Sequence, residues 1–274
     1  MKTFGDKLVE AGRRHGRLCV GIDPHAALLE QWGLGTTVEG LRAFTQACVA
    51  AFKGNVALVK PQVAFYEAFG SAGFAVLEEA LAELREAGTL VVADAKRGDI
   101  GSTMAGYAHA WLDPDSPLVA DAVTVSPYLG YGSLKPILEL AEEQAKGVFV
   151  LAATSNPEAR ELQDQRGGDG RSISQQIVDA AAASNAQWKA DGHYGNVGVV
   201  VGATLATPPA LSELNGPILL PGVGAQGATA EDVLRLTEGV VELGFPNVSR
   251  AILRQGPGVD KLTQAVVEAG ASFK

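Results

Sequence analysis

Leu90-Val91-Val92-Ala93-Asp94-Ala95-Lys96-Arg97-Gly98-Asp99 is the stretch on which the reading of this chain turns. Four apolar residues of the kind that fill a buried strand run straight into a cluster of acids and bases. In an extended chain residues two apart share a face, so Asp94 and Lys96 point the same way, inward if the strand lines a barrel. Buried charges are costly unless they are paired. A structural ion pair at a strand end is one reading of the motif and an active site is the other. The rest of the chain decides between them.

Working outward, short apolar and β-branched runs recur at Leu18–Ile22, Val56–Lys60, Leu90–Ala95, Ala122–Ser126, Gly147–Thr154, Val197–Gly202, Ile218–Pro221 and Val248–Leu253. Stretches of helical period lie between them, as at Val38, Leu41, Phe44, Cys48 and Phe52, or Phe74, Leu77, Leu81 and Leu84. Runs apolar on both faces belong to parallel sheets covered by helices. Eight of them in about 250 residues is the size of an α/β (β/α)8 (TIM) barrel, with one domain over residues 1–274. A doubly wound open sheet is the competing architecture. The 33 glycines gather at strand ends and turns, which suits many tight βα connections. The polar segment Asn156–Arg171 reads as a long loop on the face where a barrel keeps its active site.

Composition excludes several functions. The net charge of −9 leaves no global basic field for nucleic acid or an anionic membrane, so an anionic ligand needs a local site. The N-terminus Met1-Lys2-Thr3-Phe4-Gly5-Asp6-Lys7 carries charges throughout, and no apolar stretch approaches a membrane span. The expected location is the cytoplasm. Cys19 and Cys48, one in a strand-like and one in a helix-like run, form neither a disulfide framework nor a metal-binding spacing and read as small core residues. His15, His25, His109 and His193 are scattered, so no metal site is expected from them.

If the barrel is right, its C-terminal strand ends carry Asp23, Lys60, Asp94 and Lys96 on three adjacent strands. Asp23 and Lys60 each precede a proline, which biases them toward extended geometry. Taken singly, an Asp before Pro is a turn residue and a Lys at a strand end is solvated; recurrence at equivalent positions argues for a designed acid and base array. A second cluster follows strand seven, Leu220-Pro221-Gly222-Val223-Gly224-Ala225-Gln226-Gly227, with Arg250 placed inside strand eight. Barrel loops after strands seven and eight often bind phosphate through backbone N–H groups, and Arg250 and Gln226 add a forked cation and an amide.

These segments together resemble the orotidine 5′-phosphate decarboxylase family, in its longer bacterial subgroup. The resemblance runs through Gly21-Ile22-Asp23-Pro24, Lys60-Pro61, Asp94 to Thr103, Ala153-Thr154-Ser155-Asn156-Pro157, Pro221 to Gly227 and Arg250, which is most of the chain. It implies conversion of orotidine 5′-monophosphate to uridine 5′-monophosphate (UMP) and carbon dioxide in de novo pyrimidine biosynthesis, with no metal and no organic cofactor. By that pattern Lys96 is the proton donor, Asp94 sits beside the substrate carboxylate, Lys60 links the aspartates and the ribose, and Asp23 holds a ribose hydroxyl. Ser155 would meet the pyrimidine, while Gly222, Gly224, Gln226 and Arg250 would hold the phosphate and close the loop over it. Asp99, Ile100 and Thr103 would reach the neighbouring subunit's substrate, making the protein a homodimer with shared sites.

Three other functions compete with this one. A metal-dependent sugar-phosphate decarboxylase or aldol-type enzyme shares the barrel and the Asp-x-Lys-x-x-Asp pattern, and a divalent-metal requirement would mark it. A Schiff-base aldolase using Lys60 or Lys96 is disfavoured, because flanking carboxylates keep a lysine protonated. A non-catalytic nucleotide-binding regulator would keep the phosphate cluster without needing the charged array.

Overall fold

Eight parallel strands close on themselves in the computed structural model, which describes residues 2–224 and 226–274. They are β1 (Cys19–Ile22), β2 (Leu58–Pro61), β3 (Leu90–Arg97), β4 (Ala122–Val125), β5 (Gly147–Ala153), β6 (Val197–Val201), β7 (Ile218–Pro221) and β8 (Gly244–Val248). Each pairs with the next and β8 returns to β1, so the barrel holds and the open sheet does not. Helices follow every strand but β6 and cover the outside; β6 is joined to β7 by turns alone.

The two-residue period sorts each strand into an outer and an inner face. Outward residues such as Val59, Val91, Ala93, Val123, Val150 and Val199 pack against the helices in the larger core cluster. Inward residues stack in ranks. Leu58, Val92, Ala122, Phe149 and Phe245 fill a lower, apolar rank. Two positions further along the same strands stand Lys60, Asp94, Thr124, Leu151 and Asn247, which line a cavity. The polar rank therefore rests on a dry floor.

The floor is sealed from below by the helix Phe4–His15, whose Thr3 cap accepts from the Asp6 N–H at 3.0 Å. Phe4 meets Phe149 edge to face with ring centroids 5.9 Å apart, and its ring fills the space that a side chain at Gly147 would take. Glycine there is a packing requirement rather than a matter of backbone freedom.

Two boundaries differ from the sequence reading. The eighth strand is Gly244–Val248, earlier than expected, and Ser249 begins a turn whose carbonyl accepts from the Ile252 and Leu253 N–H groups. Arg250 is accordingly the first residue of the short helix Arg250–Leu253, outside the strand. Pro246 hid the true strand, because a proline removes a ladder donor and reads as a break. The polar segment also differs from a plain loop: Pro157–Ala159 and Arg160–Gln163 form helical turns. Gln163 accepts from the Thr154 N–H at 2.7 Å and Arg160 donates to the Thr154 carbonyl at 2.9 Å, which ties the segment to the end of β5. No helix among the described residues is long and apolar enough to cross a membrane.

Candidate active site

The cavity at the C-terminal end of the barrel has a volume of about 250 Å³. At one end of it stands Asp94, placed by β3 and 7% exposed. Its two oxygens are fully engaged: Lys60 Nζ donates to Oδ2 at 2.7 Å, Gln62 Nε2 to Oδ2 at 3.0 Å, Thr124 Oγ1 to Oδ1 at 2.9 Å and Lys96 Nζ to Oδ1 at 2.6 Å. β2, β3 and β4 each contribute to this arrangement or lead into it.

Burial alone would push the Asp94 carboxyl up, but the ammonium groups of Lys60 and Lys96 override it and hold the group well below the usual carboxylate range. Lys60 is governed by the same balance in reverse. Burial pulls its ammonium down, and the charges of Asp94 and then Asp23 overcome this and hold it above the ordinary lysine value. Across the neutral range both members of the pair are charged. Lys96 differs from Lys60 in access, with its side chain 44% exposed against 8% for Lys60. Lys60 is thus a built-in part of the wall, and Lys96 an ammonium that can reach a ligand. Cys19, beneath the array, has its thiol pushed up to about 12 by burial, which removes it as a nucleophile and agrees with its reading as core.

Asp23, following β1, lines the cavity, and its Oδ1 is buried without a hydrogen-bond partner among the described residues. Gly21, two residues before it, is required: a Cβ there would stand 2.0 Å from Ser249 Oγ and 2.9 Å from its Cβ, so the residue after β8 can pack on β1 only over a glycine.

The opposite end of the cavity is formed by Gly222, Val223 and Gln226 after β7 and by Arg250 after β8. Gly222 and Gly224 have φ of 104° and 72°, the left-handed region that glycine tolerates, and the turn closes through Gly224 N–H to the Ala228 carbonyl at 2.9 Å. Gly224 is part of the turn without lining the cavity, and Ala225 lies outside the described residues, as does Met1. Ser155 does not itself line the cavity; its hydroxyl donates at 3.1 Å to Oε1 of Gln226, which does, and so links the segments after β5 and β7.

Asp99, Ile100 and Thr103 stand apart from this chain's own cavity. Asp99 accepts from the Ile100 N–H at 2.8 Å, Ile100 is 61% exposed, and Thr103 is on the outer surface of the helix Gly101–Leu112.

The chain matches the model of the orotidine 5′-phosphate decarboxylase / HUMPS family over residues 16–265. The chain belongs to that family. It is 65% identical over 271 residues to an orotidine 5′-phosphate decarboxylase of Corynebacterium glutamicum, covering 99% of this chain and 98% of that one. A Corynebacterium efficiens protein of the same name is 65% identical over 272 residues, covering 99% and 97%. Among solved structures, a Streptomyces avermitilis protein assigned to orotidine 5′-phosphate decarboxylase superposes with a TM-score of 0.94 at 51% identity, over 100% of this chain and 95% of that one. The Leishmania donovani OMP decarboxylase gives 0.75 at 31%, over 99% of each chain.

Among the polar residues that line the cavity, Gln62, Thr124, Thr154, Asn247 and Ser249 were given no role by the sequence reading. Gln62 was recoverable, since it lies two residues beyond Lys60 and so shares its face. Thr124 was masked because threonine is also an ordinary strand former. Asn247 was lost with the misplaced eighth strand, whereas Ser249 lay inside the expected run Val248–Leu253 and was given no role.

Proposed function

We propose that this chain decarboxylates orotidine 5′-monophosphate to uridine 5′-monophosphate and carbon dioxide, the step that yields UMP in pyrimidine biosynthesis. The observation that carries the reading is the Lys60–Asp94–Lys96 array in one cavity with a glycine turn and Arg250. In the reaction the bond from C6 to the carboxylate carbon breaks, carbon dioxide leaves, and the electron pair left on C6 takes a proton from the Lys96 ammonium. Lys60 keeps Asp94 ionised and fixed beside the substrate carboxylate.

Magnitudes rank the contributions. Two like charges about 4 Å apart at an effective dielectric near 20 repel by about 4 kcal/mol, or about three orders of magnitude in rate if all of it were relieved. Repulsion between Asp94 and the departing carboxylate is therefore only part of the barrier reduction. The larger share comes from the Lys96 ammonium, which stabilises charge as it develops on C6 in a preorganised, dehydrated site. Binding of the remote phosphate by the glycine turn, Gln226 and Arg250 closes the loop and is spent on orientation.

Asp23 takes a ribose hydroxyl, an assignment supported by its buried, unpartnered Oδ1. Ser155 meets the pyrimidine, supported by its link to Gln226. Asp99, Ile100 and Thr103 serve the active site of a second subunit, supported by their exposure away from their own cavity. The enzyme is on this reading a cytoplasmic homodimer that needs no cofactor.

The function is tested by loss of orotidine 5′-monophosphate absorbance with purified protein in excess chelator. Turnover is expected; none, or turnover only after Mg²⁺ is added, rejects the reading in favour of a regulator or a metal-dependent enzyme. The shared site has its own test, in which inactive Lys96→Ala and Asp99→Ala homodimers exchange subunits. Equal mixing makes about half the dimers mixed with one intact site each, so roughly a quarter of wild-type activity should return. No recovery after exchange, confirmed with a mass-tagged chain, would refute the trans role of Asp99.

A further inference from the structure

Arg97 follows the reacting lysine and does not line the cavity, yet its guanidinium meets a carbonyl, a carboxylate and two aromatic rings. Its setting begins with an irregularity. Ala93 pairs with Val123 and Arg97 with Val125, so four steps along β3 match only two along β4. The surplus chain, Asp94 to Lys96, bulges, and Lys96 has a φ of 48°, a left-handed conformation uncommon for a side chain of its length. Such a conformation persists only where the surroundings over-determine it.

On the inner side of the bulge Thr124 supplies the constraint, accepting from the Lys96 N–H at 2.9 Å while donating to Asp94. The outer side is held by Arg97. Its Nη1 donates to the Ala95 carbonyl at 3.1 Å, its Nη2 pairs with Glu67 at the end of the helix Val63–Glu67, and its guanidinium lies 5.7 Å from the Tyr107 ring centroid and 5.9 Å from that of Trp111. The Arg97 carbonyl accepts from Ser126 N–H at 2.8 Å, and a Cβ at Gly98 would stand 2.5 Å from the Ser126 carbonyl oxygen, so the chain is pinned to β4 immediately after the bulge. A planar fork that reaches a carbonyl and a carboxylate while presenting a face to two rings is something arginine offers and lysine offers only in part.

We propose that Arg97 is a positioning residue for proton transfer: braced by Glu67 and the two rings, it fixes the bulge and so sets where the Lys96 ammonium stands against Asp94. This rests on the reading of Lys96 as the proton donor. Arg97 itself touches no substrate. Asp23, Gln226 and Arg250 follow other strands, and the Ser126 contacts hold the chain between the bulge and Asp99, so loosening the bulge should change the chemical step and leave binding alone.

The test compares Arg97→Gln, Arg97→Lys, Glu67→Gln, the Glu67→Gln/Arg97→Gln double variant and Lys96→Ala, each checked for folding by circular dichroism and assayed for kcat and KM. Arg97→Gln should lower kcat roughly 10- to 100-fold, the scale of a misplaced reacting group, with KM within about twofold. Arg97→Lys should recover part of that loss, and Glu67→Gln should lower kcat about fivefold. Because the two residues act as a unit, the double variant should be within about twofold of Arg97→Gln alone. A folded Arg97→Gln with kcat within about twofold of wild type, or with its loss in KM, overturns the proposal. If Arg97→Gln does not fold, Glu67→Gln decides in its place, and wild-type kcat there overturns it. Lys96→Ala separates the two layers: activity retained in it rejects the proton-donor reading, whereas a dead Lys96→Ala beside a fully active Arg97→Gln rejects only the bracing role.

Discussion

At the β2 and β3 end of the cavity the polar groups are side chains that satisfy one another, with Lys60, Gln62, Thr124 and Lys96 all donating to one buried carboxylate. At the β7 and β8 end the same rank of the barrel presents a backbone turn at positive φ, an amide and an exposed arginine at the start of a four-residue helix. The first end is satisfied within itself; the second is the end that, on the proposed function, takes the phosphate. Chemistry that depends on fixed charges needs the former, and grip on a remote, mobile group needs the latter. The difference also separates stability from catalysis, because a fold depends on its buried charges and hardly on its exposed ones.

The largest effect expected is on rate at the first end. Lys96→Ala should lower kcat by at least the 10²–10⁴-fold typical of a general acid, while its urea midpoint moves little, since the ammonium is half-exposed and Asp94 keeps Lys60. A folded variant with more than about a tenth of wild-type kcat would break the assignment.

Asp94→Ala should lose activity and stability together. It strands the Lys60 ammonium, 8% exposed, in a site with no other close acid than Asp23, and breaking a buried pair in this way costs about 3–5 kcal/mol. Equilibrium urea unfolding of Lys96→Ala and Asp94→Ala side by side sharpens the comparison. Equal midpoints would show that burial does not distinguish the two contacts.

At the second end Arg250→Ala should leave stability within about 0.5 kcal/mol, as for other surface substitutions. Its loss should fall on substrates that carry the phosphate. Gln226→Ala should do the same to a smaller extent, since it removes one neutral amide in place of a cation.

The smallest effect is in the pH dependence of unfolding. Asp94 is held below its unfolded value of 3.8, so its contribution is complete above about pH 4 and is lost as the pH falls toward the native value. Lys60 is held above its unfolded 10.5, so its contribution is complete below that pH and is lost as the pH rises through the native value. The pair should therefore be silent from about pH 5 to 10, and Asp94→Asn should flatten the acid limb of a urea stability profile. An unchanged acid limb would remove Asp94 from that ledger.

How much of this could be read from the sequence also follows the contrast. The charged end was legible because acids and bases interrupt strands that are otherwise apolar on both faces, as at Asp94 and Lys96 or at Lys60 before Pro61. The barrel was legible for the same reason, through the regular spacing of those runs. The neutral members were less so: Thr124 is indistinguishable from a strand-forming threonine, and Gln62, although on the face of Lys60, lies one residue past the end of its strand. At the other end Pro246 concealed β8 and shifted Arg250 from a helix start into a strand. The bulge that sets Lys96 at positive φ left no trace in the pattern, because it arises from how β3 and β4 register and not from either strand alone.

The division of labour between the two ends is tested most directly by kcat/KM for orotidine 5′-monophosphate and for orotidine, which lacks the phosphate, in wild type, Lys96→Ala and Arg250→Ala. Arg250→Ala should fall well below wild type on the nucleotide and stay within about threefold of it on the nucleoside, while Lys96→Ala should be inactive on both. Equal losses for Arg250→Ala on the two substrates, or retained turnover of either by Lys96→Ala, would contradict the account.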